Sequence, residues 1–183
     1  GAEEIALTRA ALGWTAAPFE VPASIEIAWS ALERGAALSS AWKQRFEQYT
    51  QAYPDLARDL LRRHRRDAAL TAETEEALAQ ACAHAESRRA TVATRMASQD
   101  VLQEVGPATP ELLGGSADLT GSNLTDWKGH RALKGAGTGN HVHYGVREFG
   151  MAAIMNGVAL HGGLRPFGGT FLAFSDYSRN AVR

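Results

Sequence analysis

"HYGVREFGMAAIMNGVALHGG", residues 143–163, decides how the second half of this chain is read. From Glu148 onward, Met151, Ile154, Met155, Val158 and Leu160 fall so close together that a helix here is apolar nearly all round, as for a helix packed on both sides. Gly150 and Gly157 remove side chains where another backbone could approach, and "HGG" closes the helix with glycine. Upstream, "PELLGGSAD" reads as a short buried strand entering a glycine turn, and "GNHVHYG" as a second strand. Downstream, "GLRPFGGTF" reads as a third, and "SDYSRNAVR" as the start of another helix. Strand, helix, strand is the layout of a parallel βαβ unit, so this half is expected to be α/β.

The composition changes near "EVGPATPELLGG". Residues 1–110 hold 27 of the 39 charged residues but only four of the 18 glycines, which marks them as a solvated helical region distinct from 111–183. Five segments there space apolar residues three and four apart: "EEIALTRAALGW", "PASIEIAWSALERGAALSSAWKQRFEQYTQAYP", "DLARDLLRRHRRD", "TAETEEALAQACAHAES" and "TVATRMASQDVLQEVG". Pro22, Pro54 and Pro107 punctuate them, and Thr71 with Glu75 behind it offers an N-cap.

Lys plus Arg number 19 against 20 Asp plus Glu, so charge gives no reason to expect nucleic acid or an anionic membrane as a partner. "LLRRHRRD" reads as one charged helix face, since the same helix carries Asp55, Asp59 and Asp67. No run reaches the roughly 18 apolar residues of a membrane span, and the N-terminus lacks a signal-peptide layout, making a cytoplasmic setting the default. The absence of an initiating methionine and the helix-like end at Arg183 suggest a piece of a longer protein. The single cysteine, Cys82, is expected to pack as a small apolar residue.

One carboxylate, Glu148, stands at the head of the apolar helix. Its position satisfies the positive end of a helix dipole. It also lies at the carboxyl end of a strand, where open α/β sheets bind ligands, and its neighbours Val146, Phe149 and Met151 should favour the neutral acid by desolvation. Arg147 would oppose that if it turned toward Glu148. Phe171, Phe174 and Tyr177 follow at three-residue intervals, a spacing usual for core, although a flat heteroaromatic ligand could stack on them. His141 and His143 could form a metal pair, but no third ligand is evident and no metal site is assigned. "GAGTGN" lacks the G-x-G-x-x-G spacing and reads as a loop.

Taken together, "LLGGSADLTGSNLTDWKG", "HYGVREFGMAAIMNGVALHGG" and "TFLAFSDYSRNAVR" resemble the pyrimidine-binding domain of the transketolase family. The preceding half, from "GAEEIALTRAALGWTAAPFEVP" through "ATRMASQD", resembles the same family, so the likeness spans the whole chain. It implies a helical linker region followed by part of a parallel-sheet domain for thiamine diphosphate. Residues 1–110 would be the helical tail of the diphosphate-binding domain plus the linker, and 111–183 the first part of the pyrimidine-binding domain.

The implied activity is transfer of a two-carbon ketol unit from a ketose phosphate to an aldose phosphate in the pentose phosphate pathway, by a cytosolic homodimer with active sites at the subunit interface. Glu148 matches the family's catalytic glutamate, which hydrogen-bonds the aminopyrimidine ring nitrogen and stabilises the imino tautomer that generates the ylid. Such an acid must hold or share a proton near neutral pH, a state that a desolvated frame promotes.

Phe171, Phe174 and Tyr177 match the pyrimidine pocket, with Phe174 the best stacking partner, and Asp118 and Leu119 match positions near the thiazolium. Arg95 and Ser122 match residues that bind the sugar phosphate, for which a guanidinium fork and a hydroxyl are suitable donors. Without the resemblance, Arg95 is a solvated helix residue and Ser122 is turn chemistry. Gly121 stands where the family commonly has proline, and His141 where it commonly has an aromatic. No glycine-aspartate-glycine motif occurs, so the ligands for Mg2+ and diphosphate are expected outside these residues, and the piece alone is expected to be inactive. Related readings are dihydroxyacetone synthase, a deoxyxylulose-phosphate synthase, or a non-catalytic fragment serving as a dimerisation or binding module.

Overall fold

A computed structural model of the chain describes residues 1–65, 70–135 and 137–183. Asp67 and part of the "GAGTGN" loop lie outside the described residues. The chain divides into two units, Gly1–Pro54 and Asp55–Arg183.

The first unit is helical: α1 (Ala2–Ala11), α2 (Ala23–Trp29) and α3 (Leu32–Ala52). The long periodic run from Pro22 to Pro54 is therefore two helices. Ser30 breaks it in an extended conformation, and its hydroxyl lies 3.4 Å from the Leu32 N–H, a local alternative to the helical bond. Along α3 and its C-cap, Trp42, Phe46, Tyr49 and Tyr53 recur at helical spacing, with ring centroids 6.0, 6.4 and 5.3 Å apart, the first two pairs stacked and the last tilted.

The second unit begins with α4 (Pro54–His64), α5 (Ala72–Arg88) and α6 (Thr94–Ala108). Thr71 caps α5 by accepting the Thr74 N–H, as its position predicts. Buried Thr74 donates to the Ala108 carbonyl at 3.0 Å and pairs with the Thr109 hydroxyl, tying α5 to the end of α6. Ala77 and Ala81 face inward, whereas Cys82 is exposed, contrary to the expected packing, because the inward stripe passes one residue before it. Pro107 does not end α6 but sits in its last turn. Gly106 before it has no side chain to meet the proline ring, and the face this leaves open is filled by the buried indole of Trp127.

Three parallel strands follow: β1 (Leu112–Ser116), β2 (His141–His143) and β3 (Arg165–Gly169), in the order β2-β1-β3. Gly114 pairs with His141 on one side and Phe167 on the other. A side chain on Gly114 would run into Phe167, and one on Gly115 into the Val142 carbonyl, so the two glycines let both neighbours close on the central strand. Between β1 and β2 lie the short α7 (Thr120–Asn123) and a bridge from Ala132 to His141. Helix α8 (Glu148–His161) carries the chain over β1 to β3, and a 3-10 turn (Leu172–Phe174) leads into α9 (Ser175–Val182).

Ala117, Tyr144 and Met151 form the small core, with Val142 and Met155 packed against it. Among the described residues α8 is covered on one side only: Met151 and Ala152 are buried, while Ile154 and Leu160 are exposed, so the two-sided packing expected from its composition is not filled here.

Candidate functional site at the carboxyl edge of the sheet

Because all three strands run parallel, their carboxyl ends share one edge, and the chain leaves β1 for β2 on one side and then crosses by α8 to β3 on the other, the kind of arrangement at which open α/β sheets form a ligand crevice. Asp118 and Leu119 follow β1, Glu148 follows β2, and Phe171 follows β3.

Glu148 is the first residue of α8 and is only 8% exposed. Among the described residues, no side chain or backbone group donates to its carboxylate. Arg147 is turned away from it: the guanidinium donates to the Tyr144 carbonyl at 3.0 Å and packs over Gly145, whose positive φ of 67° makes the turn into the helix. Tyr144 is buried against Ala117 and Met151, and burial pushes its hydroxyl above the usual range.

The three aromatics are not core. Phe171 and Phe174 are each more than a third exposed and Tyr177 is 70% exposed, their rings stepping 5.9 and 6.3 Å apart along the turn and the start of α9. The 3-10 turn and the first turn of α9 lay the three rings along one exposed face.

Asp118 is exposed in the left-handed region (φ 61°) and Leu119 is half-buried behind it. Arg95, in the first turn of α6, and Ser122, in α7, are both exposed. A cavity of about 820 Å³ brings Arg95 and Phe171 together with Ser98, Asn123, Thr125 and Thr170. Glu148, Phe174, Tyr177, Asp118, Leu119 and Ser122 do not line it, although Ser122 adjoins Asn123.

The histidines on β2 are more crowded than the sequence suggests. The His141 ring lies 4.7 Å from that of His130 and 4.8 Å from that of His143. His141 is fully buried, with neither ring nitrogen in a good hydrogen bond. Burial, reinforced by the two neighbouring imidazoles, holds its pKa below the usual histidine value. Among the described residues no group of three His, Cys, Asp or Glu side chains is arranged to hold a metal ion.

Comparison with known proteins accounts for both units. Residues 90–183, just over half of the chain, match the family model for the transketolase pyrimidine binding domain, and residues 1–69 match that for the transketolase thiamine diphosphate binding domain.

The chain belongs to the transketolase family.

Transketolase 2 of Vibrio parahaemolyticus is 52% identical over the whole of this chain, which covers 28% of that protein's length. The plasmid-borne transketolase of Cupriavidus necator is 55% identical, again over the whole chain and 27% of its own length. Among solved structures, a transketolase from Pichia stipitis in complex with sedoheptulose-7-phosphate superposes with a TM-score of 0.72 at 38% identity, over 90% of this chain and 25% of that one. The chain thus spans just over a quarter of the length of these transketolases. Helical units leading into a parallel three-stranded sheet are what the family resemblance implies for this stretch.

Two features of the edge were not read from the sequence. One is the contact of Arg147 with Tyr144, for which the positive-φ glycine between them was an available signal. The other is Ser116, the last residue of β1, which is fully buried and bonded on every side.

Proposed function

We propose that this chain is the part of a ketol-transferring enzyme that presents Glu148 and an aromatic face to the aminopyrimidine of thiamine diphosphate. The observation that carries the reading is Glu148, a residue only 8% exposed whose carboxylate oxygens still reach solvent at the sheet edge and, among the described residues, have no protein partner while its basic neighbour is engaged elsewhere. A carboxyl group so placed is left to a ligand. When bound, thiamine diphosphate supplies the carbanion-stabilising chemistry that ketol transfer requires.

The residues of this chain bind and orient. Glu148 forms a hydrogen bond to the pyrimidine ring nitrogen and holds a proton there. Phe174, flanked by Phe171 and Tyr177, stacks on the pyrimidine ring. Asp118 and Leu119 border the thiazolium side. Arg95 and Ser122 donate to the phosphate of the sugar, a charge-assisted fork and a hydroxyl being matched to phosphate oxygens. The bound sedoheptulose-7-phosphate of the Pichia stipitis relative supports sugar phosphates as substrates, a ketose phosphate as donor and an aldose phosphate as acceptor, in the pentose phosphate pathway.

In this reading residues 1–110 belong to the diphosphate-binding domain and linker, and 111–183 to the pyrimidine-binding domain. Magnesium and the diphosphate are held by residues outside 1–183, the complete protein is a homodimer with sites at the subunit interface, and it works in the cytoplasm. No helix among the described residues is long and apolar enough to cross a membrane.

The test is ketol transfer by the full-length protein supplied with thiamine diphosphate and magnesium. Arg95→Ala should raise KM for a phosphorylated acceptor about tenfold or more, as for loss of a charged hydrogen bond, and change KM for an unphosphorylated acceptor far less. Equal effects on both acceptors, or no ketol transfer by the wild type, would overturn the reading.

A further inference from the structure

Ser116 ends the central strand with no exposed surface, and its hydroxyl uses its whole bonding capacity. The O–H donates to the Gly169 carbonyl at 3.0 Å, while the oxygen accepts the Leu119 N–H at 3.1 Å and the Asn123 Nδ2 at 2.9 Å. A serine hydroxyl offers one donor and two lone pairs, and all three are taken. Asn123 Oδ1 in turn accepts the Thr125 hydroxyl at 3.1 Å. One buried oxygen therefore joins the end of β1, the end of β3, the residue before α7 and the last residue of α7.

The ligand-contacting residues of the proposed function hang from these anchors. Asp118 and Leu119 lie within the turn closed by the Ser116–Leu119 bond, which fixes Asp118 in its left-handed conformation. Ser122 adjoins Asn123, and Phe171 follows Gly169 by two residues. The Ser116 carbonyl also accepts the Tyr144 N–H at 3.1 Å, at the exit of β2 toward Glu148.

We infer that Ser116, acting through Asn123, is a positioning residue that sets the thiazolium-side turn and the phosphate-binding α7 in register with each other. Ser116 touches no ligand. The inference rests on the function proposed above.

The experiment uses the full-length protein with Ser116→Ala, Ser116→Thr and Asn123→Ala, and with Arg95→Ala and Ser122→Ala as references. Ser116→Ala should raise both the Kd for thiamine diphosphate and the KM for a phosphorylated acceptor at least fivefold. Asn123→Ala, which releases α7 and the Thr125 hydroxyl but leaves the Ser116–Leu119 turn closed, should raise the KM without raising the Kd for thiamine diphosphate, with kcat within twofold. Ser116→Thr, which keeps the hydroxyl, should restore most of the loss. A purely structural serine would lower the active fraction, and so apparent kcat, without moving either constant. If Ser116→Ala and Asn123→Ala leave Kd and KM within twofold while the references raise KM, the positioning role is wrong and the site assignment stands. If the references are also silent, the phosphate site itself is misassigned and the inference falls with it. Should Ser116→Ala yield no folded protein, the split between KM and kcat for Asn123→Ala decides alone.

Discussion

The guanidinium of Arg147 is held by the carbonyl of Tyr144, three residues earlier, and makes no ion pair with the adjacent Glu148. The two residues are therefore separable by mutation. Glu148→Gln in the full-length enzyme should lower kcat by about 10²- to 10⁴-fold, the range for a positioned proton-transferring group. Arg147→Met should cost far less, through a looser turn. Turnover of Glu148→Gln within a few fold of wild type would remove the catalytic assignment.

Phe174 sits between Phe171 and Tyr177 on an exposed face, so its removal leaves no core cavity. Phe174→Ala should weaken thiamine diphosphate binding by about 0.5–1.5 kcal/mol, or about 2- to 12-fold in Kd by calorimetry, with little change in thermal midpoint. A large loss of stability with unchanged affinity would mean that the ring packs rather than stacks.

Glu111 is buried, and Arg62 donates to it at 3.1 Å while also holding Asp59 at 2.9 Å. Burial pushes the Glu111 carboxyl up, but the Arg62 hydrogen bond, a bond from its own backbone N–H and the charges of Arg62 and Arg63 together outweigh it and hold the pKa below the usual value. The folded state thus favours the charged carboxylate: its stabilisation is complete above the unfolded pKa and is lost as pH falls through the folded one. Glu111→Ala should destabilise by about 1.5–3 kcal/mol at neutral pH, and by less under acid. A difference independent of pH between 3 and 7 would contradict the pairing.

His141 gives the opposite chemistry with the same sign. Its folded pKa is depressed by burial and by His130 and His143, against a weaker pull from Asp126 and the Thr125 carbonyl. The unfolded chain therefore binds the proton first, and stability declines as pH drops below about 6.5. His141→Phe, which keeps a flat ring among the other two, should flatten the part of that decline that belongs to this group. Parallel denaturation profiles for wild type and variant between pH 7.5 and 5.5 would exclude it.

What the sequence made legible is what local physics decides. The Thr71 cap, the strand–helix–strand order and the helix starting at Glu148 all follow from propensity and period, and all are found. Its failures share a cause: burial depends on what lies across from a residue. Phe171, Phe174 and Tyr177 carry a core-like spacing yet face outward, and Cys82 misses the inward stripe of α5 by one position. Pro107 sits in the last turn of α6 directly behind a glycine, and the run from Pro22 to Pro54 breaks at Ser30, whose backbone turns extended. Ser116 was invisible for a further reason. A hydroxyl becomes a hub through partners at positions 119, 123 and 169, and no local pattern encodes that meeting.

The indole seated over Gly106 also gives the chain a built-in optical gauge. Trp127 is nearly sealed from water, whereas Trp14, Trp29 and Trp42 are at least a third exposed and all belong to the first unit. Blue-edge emission should therefore report loosening of α6 from the loop that carries Trp127, while the red-shifted remainder reports on Gly1–Pro54, so that the melting of each unit can be followed in one cuvette without a dye.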